Sequence, residues 1–406
     1  MTNEVKNVPK LRFQRFEDEW KKKRLKDIVE PLKGNSGENK NLPVLTISAK
    51  KGWLNQKERF SQVIAGNSLN KYNELKKGDL SYNKGNSKVA LYGIVYKLGF
   101  DNALVPNVYK SFRPKPNNVS DFLEKYFHTK ILDRQLRRVI TSTARMDGLL
   151  NISDYDFYNM SLNIPVNNEQ KKIGDFFSKL DQQIELEEQK LAKLEEQKKG
   201  YMQKIFSQEL RFKDENGNDY PEWEDKLISD IGKVVTGNTP SKKDNDYWNS
   251  NQYVWVTPTD ISNKKNIYTS GYQLSQKGFS KARQLPKNTL LITCIASIGK
   301  NAILRIEGSC NQQINAVIPN DNYDVDYLYY AFEDVSKLMK SIAGKTATQI
   351  VNKAVFEKLL LNVPIYEEQQ KISGFLNKVD ILIDKQTQKI DELKLRKQGF
   401  LQKMFV

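Results

Sequence analysis

Histidine and cysteine are almost missing from this 406-residue chain, which holds one His and two Cys. With His128 the only imidazole, a Ser–His or Cys–His nucleophile pair has a single residue to recruit as base. Its setting in FLEKYFHTKIL, on a helix that alternates apolar and charged residues, fits a core-edge or surface histidine. Cys294 and Cys310 stand in no metal-ligand spacing, which argues against zinc or a disulfide framework and fits a reducing cytoplasm. No apolar run approaches the roughly 18 residues of a membrane span, and the opening MTNEVKNVPKLRF has no apolar signal core. Also missing are a Gly-x-x-x-x-Gly-Lys-Ser/Thr phosphate loop, a Gly-x-Gly-x-x-Gly dinucleotide loop and the Asn-Pro-Pro-aromatic motif of adenine methyltransferases. Carboxylates able to hold magnesium stay open.

Acid is in short supply too. The net charge of +16 calls for a polyanionic partner, nucleic acid or an acidic membrane surface, and the missing membrane features put nucleic acid first. Residues 1–160 carry 30 Lys+Arg against 17 Asp+Glu, whereas residues 161–208 balance at 8 against 8. In residues 209–363 the totals are 19 and 18, yet 231–306 alone has 11 basic and 3 acidic residues. Segregation of that kind can give one positive face.

What the chain does have is a repeat. Ile164–Phe206 aligns without a gap on Val363–Phe405, 199 residues later, with 17 of 43 positions identical. Each copy carries a heptad seam. In the first it runs Ile173, Phe177, Leu180, Ile184, Glu187, Leu191, Leu194, Lys198, Tyr201, Ile205. In the second it runs Ile372, Leu376, Val379, Ile383, Gln386, Ile390, Leu393, Lys397, Phe400, Met404. The polar interruptions fall at the same heptad positions, the mark of one helix duplicated. Thirty-eight helical residues make a rod of about 57 Å. The two rods are expected to pair antiparallel, because the 16 residues Ser207–Glu222 reach only about 55 Å fully extended and would have to run back along a parallel rod.

The repeat continues outside the rods. Leu11-Arg12-Phe13 recurs as Leu210-Arg211-Phe212, and Trp20 with Asp27-Ile28 recurs as Trp223 with Asp230-Ile231. LKKGDLSYNKGNSKVALYGIVYK and LPKNTLLITCIASIGKNAILRI each read as a β-hairpin around a Gly/Asn/Ser loop. A helix is expected over 120–140 and over 325–341, each followed by a Thr-rich loop. The predicted fold is α+β. Two similar α/β globular domains, 1–163 and 209–362, alternate with two long helices, 164–208 and 363–406, that pair as an antiparallel coiled coil.

These residues carry a family resemblance. Thr236-Gly237-Asn238-Thr239-Pro240-Ser241, then Tyr247-Trp248, Trp255-Val256-Thr257-Pro258 and Asp260-Ile261, resemble the opening of a target recognition domain in the specificity subunit of type I restriction-modification systems. Pro165 with Glu169-Gln170 and Pro364 with Glu368-Gln369 look like that family's repeated helical region, and the likeness covers nearly the whole chain. The first domain departs from it, with Leu32-Lys33-Gly34-Asn35-Ser36 in place of the Thr-Gly-Asn-Thr-Pro-Ser run. The resemblance implies a non-catalytic DNA reader in the cytoplasm, one half-site per domain, with the helices as a ruler between them. It also implies two modification subunits carrying S-adenosylmethionine and flipping out the target adenine, joined by restriction subunits using ATP and magnesium, and no cofactor on this chain. A stand-alone DNA-binding protein, a coiled-coil scaffold for acidic proteins, and a single-chain nuclease or methyltransferase with fused recognition domains are the alternatives.

Reading DNA needs Lys/Arg for phosphates and Asn, Gln, Arg or Ser on loops for base edges. Candidates in the first domain are Lys50 and Lys51, beside Trp53 as a stacking ring; Tyr82, Asn83, Lys84, Asn86, Ser87 and Lys88; and Thr143 with Arg145. In the second they are Asn238, Thr239, Ser241, Lys242 and Lys243; Ser297, Lys300 and Asn301; and Lys345, Thr346 and Gln349. Lys21–Arg24 reads as a solvated charge run.

Overall fold

A computed structural model describes residues 7–34, 42–57, 69, 71–85, 89–140, 149–248, 250–262, 264–344 and 350–406. The candidates Asn86, Ser87, Lys88, Thr143, Arg145, Lys345, Thr346 and Gln349 lie outside them. The chain divides into two compact units, residues 1–189 with 388–406, and residues 190–387. Each unit therefore combines a globular domain with the start of the long helix that follows it and the end of the other long helix. The helices run Asn167–Phe206 and Tyr366–Lys403.

In the first unit a four-stranded antiparallel sheet has the order Val29–Leu32, Lys110–Pro114, Leu80–Asn83, Ile94–Lys97. The last two strands are the hairpin expected from the sequence. Two small ribbons, Leu45–Ser48 with Gly52–Asn55 and Asn73–Lys76 with Asn102–Val105, stand beside it. Lys21–Arg24 is a strand rather than a loose charge run: it pairs antiparallel with Ser161–Ile164 while all four side chains stay exposed. Basic side chains of that sort discourage further strands from adding to an edge. The helix expected over 120–140 is two, Ser120–His128 and Asp133–Val139. The break comes at Thr129, whose hydroxyl donates to the Tyr126 carbonyl at 2.6 Å while its own backbone is extended, the usual competition of a threonine side chain with the helix ladder.

The second unit has a five-stranded sheet, ordered Gly232–Thr236, Ile314–Pro319, Thr289–Thr293, Asn301–Leu304, Asn266–Ile267. A three-stranded sheet and the pair Glu224–Leu227 with Leu360–Val363 complete it. Thr289–Thr293 and Asn301–Leu304 form the second expected hairpin. One continuous helix, Val325–Ala343, covers the sheet. Cys294 and Cys310 are buried free thiols, pushed by burial to about 11 and about 12.

Within each unit the helix segments run antiparallel along the predicted seam. In the first, Phe176 meets Phe400 edge-on at 5.0 Å, Glu187 takes Lys389 at 2.7 Å, and Asp181 takes Lys397. In the second, Tyr201 meets Phe375 at 5.1 Å and Lys198 reaches Asp380 at 2.7 Å. Ile173, Phe177, Leu180, Ile184, Ile372, Leu376 and Ile390 are buried, and Leu191, Leu194, Val379, Ile383 and Leu393 are half-buried. The lysine interruptions have a purpose: Lys198 and Lys397 each lay a long stem on the seam and pair with an aspartate of the opposite helix.

The 199-residue offset persists in the atoms where each domain meets its helix. Arg12 grips Glu169 through Nε and Nη2 at 2.7 and 2.8 Å, and Arg211 grips Glu368 through the same nitrogens at 3.3 and 2.8 Å. Both carboxylates are fully buried. Gln170 donates to the Pro165 carbonyl and accepts the Val119 amide, while Gln369 donates to the Pro364 carbonyl and accepts the Asp324 amide. Val119 and Asp324 are the N-caps of domain helices, whose first amides have no partner within the helix. The Pro-then-Glu-Gln signature is thus a connector: Glu holds the arginine before the domain, Gln caps a helix within it.

Removing one partner of such a pair strands a buried charge. Arg12→Ala or Arg211→Ala is expected to cost about 3–5 kcal/mol, read as a shift of the urea unfolding midpoint with unchanged slope; a loss under about 1 kcal/mol, as for an exposed pair, would show the carboxylates are not held as described. The register also brings Ile184 level with Leu393. Cysteines at those two positions are expected to crosslink under mild oxidation, whereas cysteines at Ile184 and its repeat equivalent Ile383 are not.

Candidate nucleic-acid interface

Several candidates of the sequence reading prove to be scaffolding. Tyr82 is a core residue, 1% exposed, its hydroxyl donating to the Tyr92 carbonyl at 2.5 Å. Asn83 is consumed locally, Nδ2 donating to Ile47 O at 3.1 Å and Oδ1 accepting the Gly85 amide at 3.0 Å. Lys84 is half-buried and its carbonyl takes the Leu150 amide. Trp53 is no free stacking platform, since its indole donates to Lys97 O and its ring edges onto Tyr109. Lys50 and Lys51, by contrast, are exposed at the turn between Leu45–Ser48 and Gly52–Asn55.

The Thr236–Ser241 run explains itself in the same way. A Cβ on Gly237 would sit 2.2 Å from the Cys310 carbonyl oxygen, so only glycine lets the two backbones approach. Asn238 staples the loop to Lys281–Arg283, Nδ2 donating to Lys281 O at 2.9 Å and Oδ1 accepting the Arg283 amide at 2.6 Å, while its carbonyl accepts the Trp255 indole. Thr239 donates to Gln312. The run's first four residues build the loop, and what it presents outward is Ser241, Lys242 and Lys243, all exposed. Tyr272 lies 5.9 Å beneath the Lys242 amine.

The hairpin loop Cys294–Lys300 is preorganised. Thr293 Oγ1 donates to Ser297 O at 2.5 Å and accepts the Lys300 amide at 3.0 Å, and Asn301 Nδ2 donates to Tyr329 O. Ser297 and Asn301 are half-buried, leaving Lys300 exposed beside Ala296, which is exposed at φ +62°. Strained backbone in a braced, exposed loop is common at functional sites. Not all basic residues of 231–306 face out: Lys265 and Arg305 turn inward onto Asp326 at 2.6 and 2.5 Å, and the Lys265 amine lies 4.2 Å from the Tyr330 ring centroid. Burial lowers the Lys265 pKa.

The outward residues are therefore lysines and a serine on loops at sheet edges, carried by side chains that lock the backbone. Such a surface suits phosphate and base-edge contacts. A profile of the family described as "Type I restriction modification DNA specificity domain" matches residues 17–196 and 220–395. The chain belongs to that family. Among curated relatives, the type I restriction enzyme MjaIX specificity subunit of Methanocaldococcus jannaschii is 34% identical over 186 residues, 44% of this chain and 43% of the relative. The EcoR124I/EcoR124II specificity subunit of Escherichia coli is 29% identical over 189 residues, 44% of this chain and 46% of that one. In both comparisons the chain spans under half the relative's length. The crystal structure of a type I restriction-modification system S subunit from M. genitalium superposes with a TM-score of 0.61 at 15% identity, over 98% of this chain and 99% of the other. A chain from a structure describing complex assembly and conformational transition of the type I restriction-modification system gives 0.59 at 15% identity, over 97% and 99%. These two likenesses extend the family's fold over nearly the full length.

In this family member the one histidine is structural. His128 Nε2 sits 2.7 Å from the Val95 carbonyl, with Tyr96 edge-on at 5.0 Å. Burial holds its pKa down to about 4, with Glu124 opposing and Lys125 and Lys397 assisting. It is neutral at pH 7, its N–H directed to the carbonyl. Among the described residues no group of three His, Cys, Asp or Glu is placed to hold a metal, and no helix is long and apolar enough to cross a membrane. Because the folded pKa lies below the unfolded value near 6.5, the unfolded chain binds the extra proton. Stability from this site is full above pH 6.5 and declines towards pH 4, by up to about 1.4 kcal/mol per pH unit. His128→Gln is expected to lose that part of the slope in unfolding measured between pH 7 and 5; an identical slope would place a charged imidazole in the fold.

Proposed function

We propose that this chain is the DNA-reading, non-catalytic subunit of a type I restriction-modification system, each globular domain recognising one half of a bipartite target. The paired helices serve as the ruler between the halves. The observation that carries this is the double family match, 17–196 and 220–395, together with a domain-to-helix connector repeated residue for residue while the presented loops differ. A protein that must read two different half-sites from equivalent platforms needs that division. Lys50, Lys51, Lys242, Lys243 and Lys300 contact phosphates, and Ser241 lies beside base edges. Two modification subunits holding S-adenosylmethionine dock on this chain and flip out the target adenine. Restriction subunits supply ATP and magnesium chemistry, and the assembly works in the cytoplasm.

Co-expression with modification partners, followed by genome-wide mapping of methylated adenines, tests the reading. The expected result is a motif of two short specific halves around a fixed unspecified gap. Exchanging residues 1–160 for the matching domain of a relative is expected to change one half only. Methylation without a bipartite motif, or a swap that alters both halves, would overturn independent reading by two domains.

A further inference from the structure

We propose that a lysine-lined cleft in the first unit is a subsite for the phosphodiester backbone of DNA, with Asp154 acting as an internal counter-ion that the phosphate replaces. The inference rests on the DNA-reading function and locates a contact that none of the loop candidates supplies.

The cleft, about 400 Å³, lies where the strand Val29–Leu32 ends and the strand Lys110–Pro114 begins. Its described lining includes Lys33, Lys71 and Lys110, and Asp154 is the one carboxylate among the described lining residues. Asp154 is shared: Lys110 Nζ approaches Oδ1 at 2.5 Å and Lys33 Nζ approaches Oδ2 at 3.1 Å. Those two contacts hold the carboxyl below the usual carboxylate range, Lys110 most strongly.

A purely structural account covers only part of this. The Lys110 side chain is 10% exposed and its amine lies over Phe157 at 5.8 Å, so the Lys110–Asp154 pair has a packing role. Lys33, however, is 76% exposed, and Lys71 is exposed as well. Amines in water around a concave surface gain nothing from mutual approach, because like charges repel and exposed pairs contribute little. Lys33, Lys71 and Lys110 with Asp154 leave an excess of about two positive charges in the described lining. A bound phosphodiester offsets one charge of that excess, and its two non-bridging oxygens, which share the charge, match the two oxygens through which Asp154 engages Lys110 and Lys33. Half-exposed Asp154 is free to turn aside as phosphate enters. This is also where the first domain departs from the Thr-Gly-Asn-Thr-Pro-Ser run, so the cleft's lysines belong to this domain's own surface.

Phosphate contacts are independent of sequence, so the test needs no knowledge of the target. The full-length protein is titrated with a labelled random-sequence duplex of about 30 base pairs across roughly 50–200 mM salt. Lys33→Glu with Lys71→Glu changes exposed positions that the fold does not require; it is expected to weaken binding at least tenfold at the low-salt end and flatten the salt slope by about 2. Asp154→Asn is expected to act oppositely, tightening binding several-fold and steepening the slope by about 0.9, a gain that damage to the fold cannot produce. Wild-type-like slopes in both variants, with wild-type binding intact, would overturn the cleft alone. Absence of salt-dependent duplex binding by the wild-type protein would overturn the DNA-reading function and this site with it.

Discussion

The buried carboxylate that opens each long helix is the constraint on which the architecture turns. Glu169 and Glu368 are shut off from water, and a carboxylate there is tolerable only with a rigid, bidentate cation against it. Arg12 and Arg211 supply it from the segment just ahead of each domain, and the phenylalanines next to them, Phe13 and Phe212, pack on Phe176 and Phe375 of the same helices. A salt bridge of this kind is weak evidence for net stability. Its value is in specifying geometry: a slipped helix would leave both charges unpaired in an apolar setting.

From that pair the repeated order follows outward. One residue beyond the glutamate, Gln170 or Gln369 fastens the N-terminus of a domain helix. Three turns further on, Asp181 and Asp380 take the seam lysine of the opposite helix, and each also meets its own domain, Asp181 through Lys125 and Asp380 through the Tyr330 hydroxyl. At the far end of each helix Phe405 packs against Trp20, and Phe206 against Trp223. These points where domain and helix touch are thus paired across the repeat, although Lys125 and Tyr330 show that a lysine's salt bridge can be exchanged for a tyrosine hydroxyl's hydrogen bond to the carboxylate at an equivalent place.

Legibility in the sequence followed the range of the interaction. The heptad seam and both hairpins depend on spacings of two to seven residues and could be read directly, and the repeat could be read by aligning the sequence on itself. The Glu-Gln connector was visible as a pattern, but its partners stand 157 residues away for each arginine and could not be named. Tyr82 and Asn83 looked like loop residues because they adjoin a Gly/Asn/Ser run, yet strand alternation turns Tyr82 into the core and backbone carbonyls absorb Asn83. Asn238 and Thr239 misled for a similar reason: polar side chains in a turn serve the turn before they serve a ligand. The break at Thr129 needed a hydroxyl-to-carbonyl bond that propensity does not foresee, and the lysine cleft assembles residues from five separate segments.

The two domains also differ in how they spend their charge. In the second, Lys265 and Arg305 are drawn inward onto Asp326, and Lys277 is held by Asp246 at 2.9 Å, so part of the basic surplus of 231–306 is neutralised within the fold. In the first, Asp79 is taken by Arg113 and Asp121 by Lys97, while Asp154 alone among the domain's described acids is shared by two lysines. Equivalent platforms therefore carry unequal fields. On the proposed function, the long-range attraction of a polyanion is then stronger toward the first domain, because exposed charge that the fold does not neutralise sets the field outside it.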